Sequence, residues 1–209
     1  MKLWFALIAL LAMSDRAVAQ SRFEIGAGAV WTGGFDAGGL DALETRNPST
    51  GTSPLTLFGT SSDVRPAIGA TARAGLFVTP HVEIEGLAEY SRSTLRTAIV
   101  DDFEEATGTE AANTIVTFVF GGSVLYHFGS GRFVPFVSAG AGYVRQLDED
   151  ETISVTGTEV HGGGGIRYRL SRHLSLRADA GVSSRDKAIA FEEKRRVLPV
   201  FAAGITYRF

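Results

Sequence analysis

The sequence predicts an all-β chain of eight antiparallel strands. They are wound up and down into a barrel that crosses a membrane, with short periplasmic turns and long outer loops. Three observations carry this reading. Apolar and polar residues alternate with period two from residue 23 onward, which puts one set of side chains on each face of a strand. Short and long connections alternate strictly along the chain. Large aromatics fall on the apolar parity near the strand ends, where two interfacial girdles would sit.

The chain has 209 residues, 25 of them glycine and 14 phenylalanine, with 20 Lys+Arg against 23 Asp+Glu and no cysteine. Near-neutral charge argues against a nucleic-acid partner, which needs a basic excess on one face. The absence of cysteine excludes disulfide scaffolds, thiolate metal sites and cysteine nucleophiles.

The first 19 residues read as a cleaved export signal. Lys2 gives a positive start, Leu3 to Met13 form an uncharged apolar run, and Ala17-Val18-Ala19 is a small-x-small cleavage site, placing the mature start near Gln20. The run is far short of the ~20 residues that span a bilayer as a helix. The mature domain, 20–209, keeps 18 basic and 22 acidic residues once Lys2, Asp15 and Arg16 are removed.

The strands follow in order. At 23–31, Phe23, Ile25, Ala27, Ala29 and Trp31 oppose Glu24, Gly26 and Gly28. At 67–78, Ile68 to Val78 on even positions oppose Thr71 and Arg73, and at 82–91 Val82, Ile84, Ala88 and Tyr90 oppose Glu83, Glu85 and Glu89. Segments 113–128, 133–146 and 197–209 keep most large apolar groups on one parity. At 160–170 Val160, Ile166, Tyr168 and Leu170 oppose His161, Arg167 and Arg169. At 174–185 Leu174, Leu176 and Val182 oppose Arg177, Asp179 and Arg185. Thr79-Pro80-His81, Gly129-Ser130-Gly131-Arg132 and Ser171-Arg172-His173 are turns of hairpin length. The remaining connections, about 32–65, 96–112, 147–157 and 186–196, are long.

With this pattern, the signal and the terminal strand Pro199 to Phe209, the chain resembles the small eight-stranded bacterial outer-membrane barrel family, the group of the OmpA membrane domain and OmpX. The resemblance implies a Gram-negative outer-membrane location, a monomer of one barrel, and a terminal Phe209 read by the barrel-insertion machinery. A lipocalin-like barrel is the competing fold, but its parity is inverted, with polar residues outside. Here Phe23, Tyr126, Phe128, Phe133, Tyr168, Tyr207 and Phe209 fall at one rim and Trp31, Tyr90 and Tyr143 at the other, all on the apolar parity.

The opposite parity lines the lumen with Glu24, Glu83, Glu85, Glu89, Glu159 and Asp179 against Arg73, Arg167, Arg169, Arg177, Arg185 and Arg208. Such charges must pair, because desolvation costs several kcal/mol per ion, and arginine forks suit carboxylates. A lumen of eight strands is only wide enough to be filled by side chains. A polar plug is therefore expected, with a small gated pore for ions or small solutes as the alternative.

No catalytic, cofactor or metal site is expected. A lipid-A-modifying enzyme, the least favoured reading, needs a Ser–His–acid set near the outer leaflet. His81, His127 and His173 lie at or beside the periplasmic turns, and His161 points inward beside Glu159 with no serine assigned to it. Loops two and three are acidic: Asp101, Asp102, Glu104, Glu105 and Glu110, then Asp148, Glu149, Asp150 and Glu151. Loop four carries Lys187, Lys194, Arg195 and Arg196, a candidate contact for the phosphates of lipopolysaccharide. The function expected is thus non-enzymatic: envelope integrity and surface contact, with outer-membrane lipid and lipopolysaccharide as partners.

Overall fold

The computed structural model describes residues 22–44, 55–102, 110–149, 153–190 and 195–209. The expected export signal, Glu104, Glu105, Asp150, Glu151 and Lys194 lie outside them. Eleven strands run in chain order: β1 (Phe23–Thr32), β2 (Phe35–Gly38), β3 (Asp41–Glu44), β4 (Leu55–Val64), β5 (Ala67–Phe77), β6 (Val82–Asp102), β7 (Glu110–His127), β8 (Phe133–Asp148), β9 (Ser154–Arg169), β10 (Leu174–Arg185) and β11 (Arg196–Arg208). Eight of them, β1 and β5 to β11, close an antiparallel barrel through the β1–β11 and β6–β7 pairings.

The register fixes the shape. A single row of neighbours leads from Thr32 through Val200, Gly181, Gly163, Ser138, Leu125, Glu83 and Phe77. Phe77 donates its N–H to the Arg22 carbonyl at 2.8 Å, so the circuit returns to β1 ten residues below its start. A stagger of that size across eight strands tilts them by about 40° to the axis. The wall then encloses a space that side chains fill.

The strands overrun their expected outer ends. β6 continues to Asp102 and β7 starts at Glu110, so the expected 96–112 loop is mostly ladder. The expected long first loop, about 32–65, contains β2, β3 and β4 in its described parts, and β4 pairs with the outer end of β6 from Leu95 to Asp102. Pro66 separates β4 from β5. It has no N–H for the ladder, whereas its neighbour Arg65 still donates to the Thr94 carbonyl at 2.8 Å. The polar run Thr60, Ser61, Ser62 and Asp63 hid this strand, because it breaks the apolar period on both faces.

The turns repeat one construction. Thr79 Oγ1 accepts from the N–H groups of His81 and Val82, and Ser171 Oγ accepts from those of His173 and Leu174. Gly129 turns the third with φ of 101°, a conformation that favours glycine. From each turn one side chain reaches the next hairpin. His81 Nδ1 lies 3.0 Å from the His127 carbonyl, His173 Nδ1 2.8 Å from the Arg208 carbonyl, and Arg132 Nε donates to the Arg169 carbonyl at 3.4 Å. Each lies against the tyrosine one residue earlier, Tyr126, Tyr207 or Tyr168.

Parity divides the two faces as expected. Outward side chains such as Ile68, Val160, Phe133 and Tyr143 are exposed. Within the barrel, Val30, Val119, Leu125, Val134 and Val144 join the buried charges. All ten expected interface aromatics lie on the outward parity, and several pair: Phe23 with Phe209 at 5.6 Å, Tyr126 with Phe128 and Tyr207 with Phe209 at 5.1 Å, and Trp31 with Phe201 at 5.5 Å.

Candidate functional site

The lumen is built in tiers, and the first sits near the periplasmic end. Arg167, 1% exposed, bridges Glu24 at 2.8 Å and Glu83 at 3.1 Å. Arg208 holds the other oxygen of Glu24 at 3.1 Å. These strands put their acids and bases at one level because Glu24 lies opposite Arg208 in the ladder. Phe77 supplies a ring beneath both guanidiniums, with centroid distances of 5.4 Å to Arg167 and 3.8 Å to Arg208.

His127 belongs to this tier and was missed at the level of sequence. Its Nε2 lies 2.8 Å from Glu83 Oε2, and its ring packs between Phe77 and Phe136. Its odd number on the 113–128 strand placed it inside with Leu125. Nearness to the turn outweighed that signal.

In the second tier Arg177 grips two carboxylates. It forms a forked pair with Glu85 and reaches Asp179 at 2.8 Å, while its guanidinium lies 4.7 Å from the Phe136 centroid. Arg73 closes the tier by pairing with Asp179 at 3.1 Å and Glu85 at 3.9 Å. Bidentate pairing of this kind satisfies lone pairs that would otherwise be stranded in a dry interior.

The third tier surrounds a cavity of about 90 Å³. Glu159 accepts from Ser183 Oγ at 2.8 Å and Arg185 Nε at 3.2 Å. His161 lies with Nδ1 3.3 Å from Glu159 Oε1 and Nε2 2.7 Å from Ser123 Oγ. The sequence reading set His161 apart from any serine, and the fold corrects it: Ser123, Gly140 and His161 are neighbours across β7, β8 and β9. Gly140 permits the meeting, since a Cβ there would stand 2.4 Å from His161 Nε2 and 2.6 Å from Ser123 Oγ.

Two of the twelve expected lumen charges are not in ion pairs. Glu89 is buried on the cavity wall, and its Oε1 has no hydrogen-bond partner among the described residues. The ion pair expected for it is not formed among the described residues, and the cavity has room for several waters. Arg169 sits at the periplasmic mouth and donates instead to the Ser130 carbonyl at 2.6 Å.

Among the described residues the outer mouth is filled mainly by apolar groups. Ala37, Val64, Ile115 and Ile189 form a buried apolar cluster, with Phe35, Leu95, Val155 and Ala190 packed against it. Gln146 fastens it, accepting from the Ile189 N–H at 2.8 Å and donating to Thr117 Oγ1 at 3.2 Å. Arg196 also turns inward, bonding the Asp36 carbonyl and lying 4.6 Å from the Phe35 centroid. This removes Arg196 from the expected lipopolysaccharide contact: it starts β11 on the lumen parity. Lys187 and Arg195 are exposed.

The closed wall with an apolar outer face and a charged lumen fits one comparison across nearly the whole chain: residues 3–209 match the outer membrane protein beta-barrel domain. The chain belongs to that family. It therefore resides in the outer membrane. Among solved structures it is similar to the outer membrane protein OprG from Pseudomonas aeruginosa, with TM-score 0.59 and 13% identity over 90% of this chain and 96% of that one. Neisserial surface protein A gives TM-score 0.48 and 12% identity over 90% and 97%. The outer membrane protease OmpT from Escherichia coli gives 0.40 and 11% over 90% and 79%. Likeness at these identities speaks to the fold alone. No curated protein matches the chain by sequence.

Proposed function

We propose that this barrel is a closed, non-enzymatic, monomeric element of the outer membrane that supports the envelope and presents its outer end for contact. The observation that carries the reading is the filled lumen: two interlocked ion-pair tiers, a third around a small cavity, and an apolar plug above them. Charges held by several partners leave no mobile group to conduct, and desolvated pairs resist separation.

An enzymatic reading has one observation in its favour, the Ser123–His161–Glu159 contact. Three features oppose it. The serine faces the lumen, away from outer-leaflet lipid. The N–H groups around it are committed to the ladder, so no backbone pair is left to hold an oxyanion. Glu159 is shared with Arg185 and Ser183. Exposed Lys187 and Arg195 support a contact with lipopolysaccharide phosphates.

The test is single-channel recording of the refolded mature chain in a planar bilayer, with Glu85→Gln and Arg177→Gln beside it. A silent wild-type barrel is expected. Discrete openings altered by either substitution would make the protein a small gated pore, with the second tier as its gate.

A further inference from the structure

At the periplasmic end, sharing Arg208 with the first tier, lies a concave basin of about 480 Å³ lined by Arg132, Arg169, Arg172 and Arg208 together with Leu170, Ser171 and Ser175. Four arginines line one hollow. Among the described residues the carboxylate paired with any of them is Glu24, which holds Arg208 and is shared with Arg167. Arg132, Arg169 and Arg172 have no carboxylate partner among the described residues, and the turns Thr79 to His81, Gly129 to Arg132 and Ser171 to His173 contain no acid.

Two of the arginines are held in place by neutral groups. Arg132 Nε is anchored on the Arg169 carbonyl and its guanidinium lies 5.3 Å from the Tyr168 centroid, while Arg169 Nη1 is anchored on the Ser130 carbonyl. These contacts orient the forks without neutralising them, leaving most of their N–H donors free. An Arg fork so placed matches two oxygens of a phosphate.

The position of the basin selects the source of that phosphate. Leu170 lines the hollow and is also exposed on the outside, and Tyr168, Tyr207 and Phe133 stand next to it on the lipid-facing parity. The rim of the basin at Leu170 thus meets the aromatic girdle at the height of lipid head groups, while Arg169, Ser175 and Arg208 line it from the lumen side. We propose that it binds the phosphate head group of an anionic phospholipid of the periplasmic leaflet. The acyl chains lie along Leu170 and the adjoining aromatics, and the phosphate lies between Arg132 and Arg172. Basic pockets at membrane interfaces hold head groups by the same combination of charge and adjoining apolar surface.

The test uses the whole refolded mature barrel, labelled with ¹⁵N, in zwitterionic detergent micelles. Short-chain phosphatidylglycerol, short-chain phosphatidylcholine and inorganic pyrophosphate are titrated separately while the amide signals of residues 129–132 and 169–175 are followed. Saturable shifts for phosphatidylglycerol at least tenfold tighter than for phosphatidylcholine are expected. Arg132→Gln with Arg172→Gln, verified as folded by heat-modifiable gel mobility, is expected to abolish that preference, whereas Arg65→Gln, near the outer end, retains it. Equal response to the two lipids on the wild-type barrel overturns the proposal without any variant. So does pyrophosphate binding as tightly as phosphatidylglycerol, which would make the basin a site for a soluble polyanion.

Discussion

At the scale of single residues, Arg167 has the greatest structural consequence. It neutralises Glu24 and Glu83 together, in a place where neither carboxylate meets solvent. Removing one partner of such a set leaves the other charges buried and uncompensated. Arg167→Met is therefore expected to destabilise the folded barrel by about 3–5 kcal/mol. Urea unfolding in lipid vesicles, followed through Trp31, the one tryptophan of residues 20–209, measures this. Gly140 is the second sensitive position. Gly140→Ala is expected to part Ser123 from His161, because its Cβ would also stand 2.3 Å from the Gly122 carbonyl oxygen and the sheet cannot yield on that side. The His161 ring signals in the NMR spectrum report the loss; an unchanged spectrum would contradict it.

At the scale of elements, the segment after β10 works as a cap. Ile189 sits in the outer mouth and Gln146 holds its backbone from β8. Gln146→Ala combined with Ile189→Ser is expected to raise hydrogen exchange at residues 186–190 and around the outer ends of β7 and β9, with the periplasmic tiers still protected. The same segment is tied at its base by Asp186, whose carboxylate accepts from the Thr158 N–H at 2.6 Å and from the Thr158 hydroxyl at 2.9 Å. Those two bonds favour the ionised form and hold its pKa below the usual 3.8. A lowered folded-state value means that the tie is complete above pH 3.8 and is lost as the pH falls through the folded-state value. Exchange of the Thr158 amide should stay slow at pH 5 and accelerate only in stronger acid. Acceleration beginning at pH 5 would contradict this.

At the scale of the whole molecule, much was legible in the sequence because a membrane barrel has two strictly different faces. Each strand between the girdles presents apolar groups to lipid on one parity, so Val160, Tyr168 and Leu176 on one side and Arg167 and Arg177 on the other declare their direction. What lay beyond the girdles was less readable. There each face of β4 mixes apolar and polar groups, so no period marks the strand, and Ile189 is one apolar residue in an irregular segment. Partnership was less readable than direction. Parity put Ser123 and His161 inside, yet only the register, with Gly140 between them, brings them together. Arg196 was misjudged for a related reason: as the first residue of β11 it looked like part of a basic surface run, although its even number aligned it with Leu198 and Ala202 inside.

The overrun of the strands has a consequence for reach. β6 has 21 residues; at about 3.4 Å per residue and a tilt near 40° it rises roughly 50 Å, twice the apolar band of about 25 Å. Half of this wall therefore stands above the bilayer like a turret, stiffened by β4 and β7 on either side. A molecule arriving from outside meets masonry already set rather than rope to be coiled. Little ordering entropy is left for it to overcome.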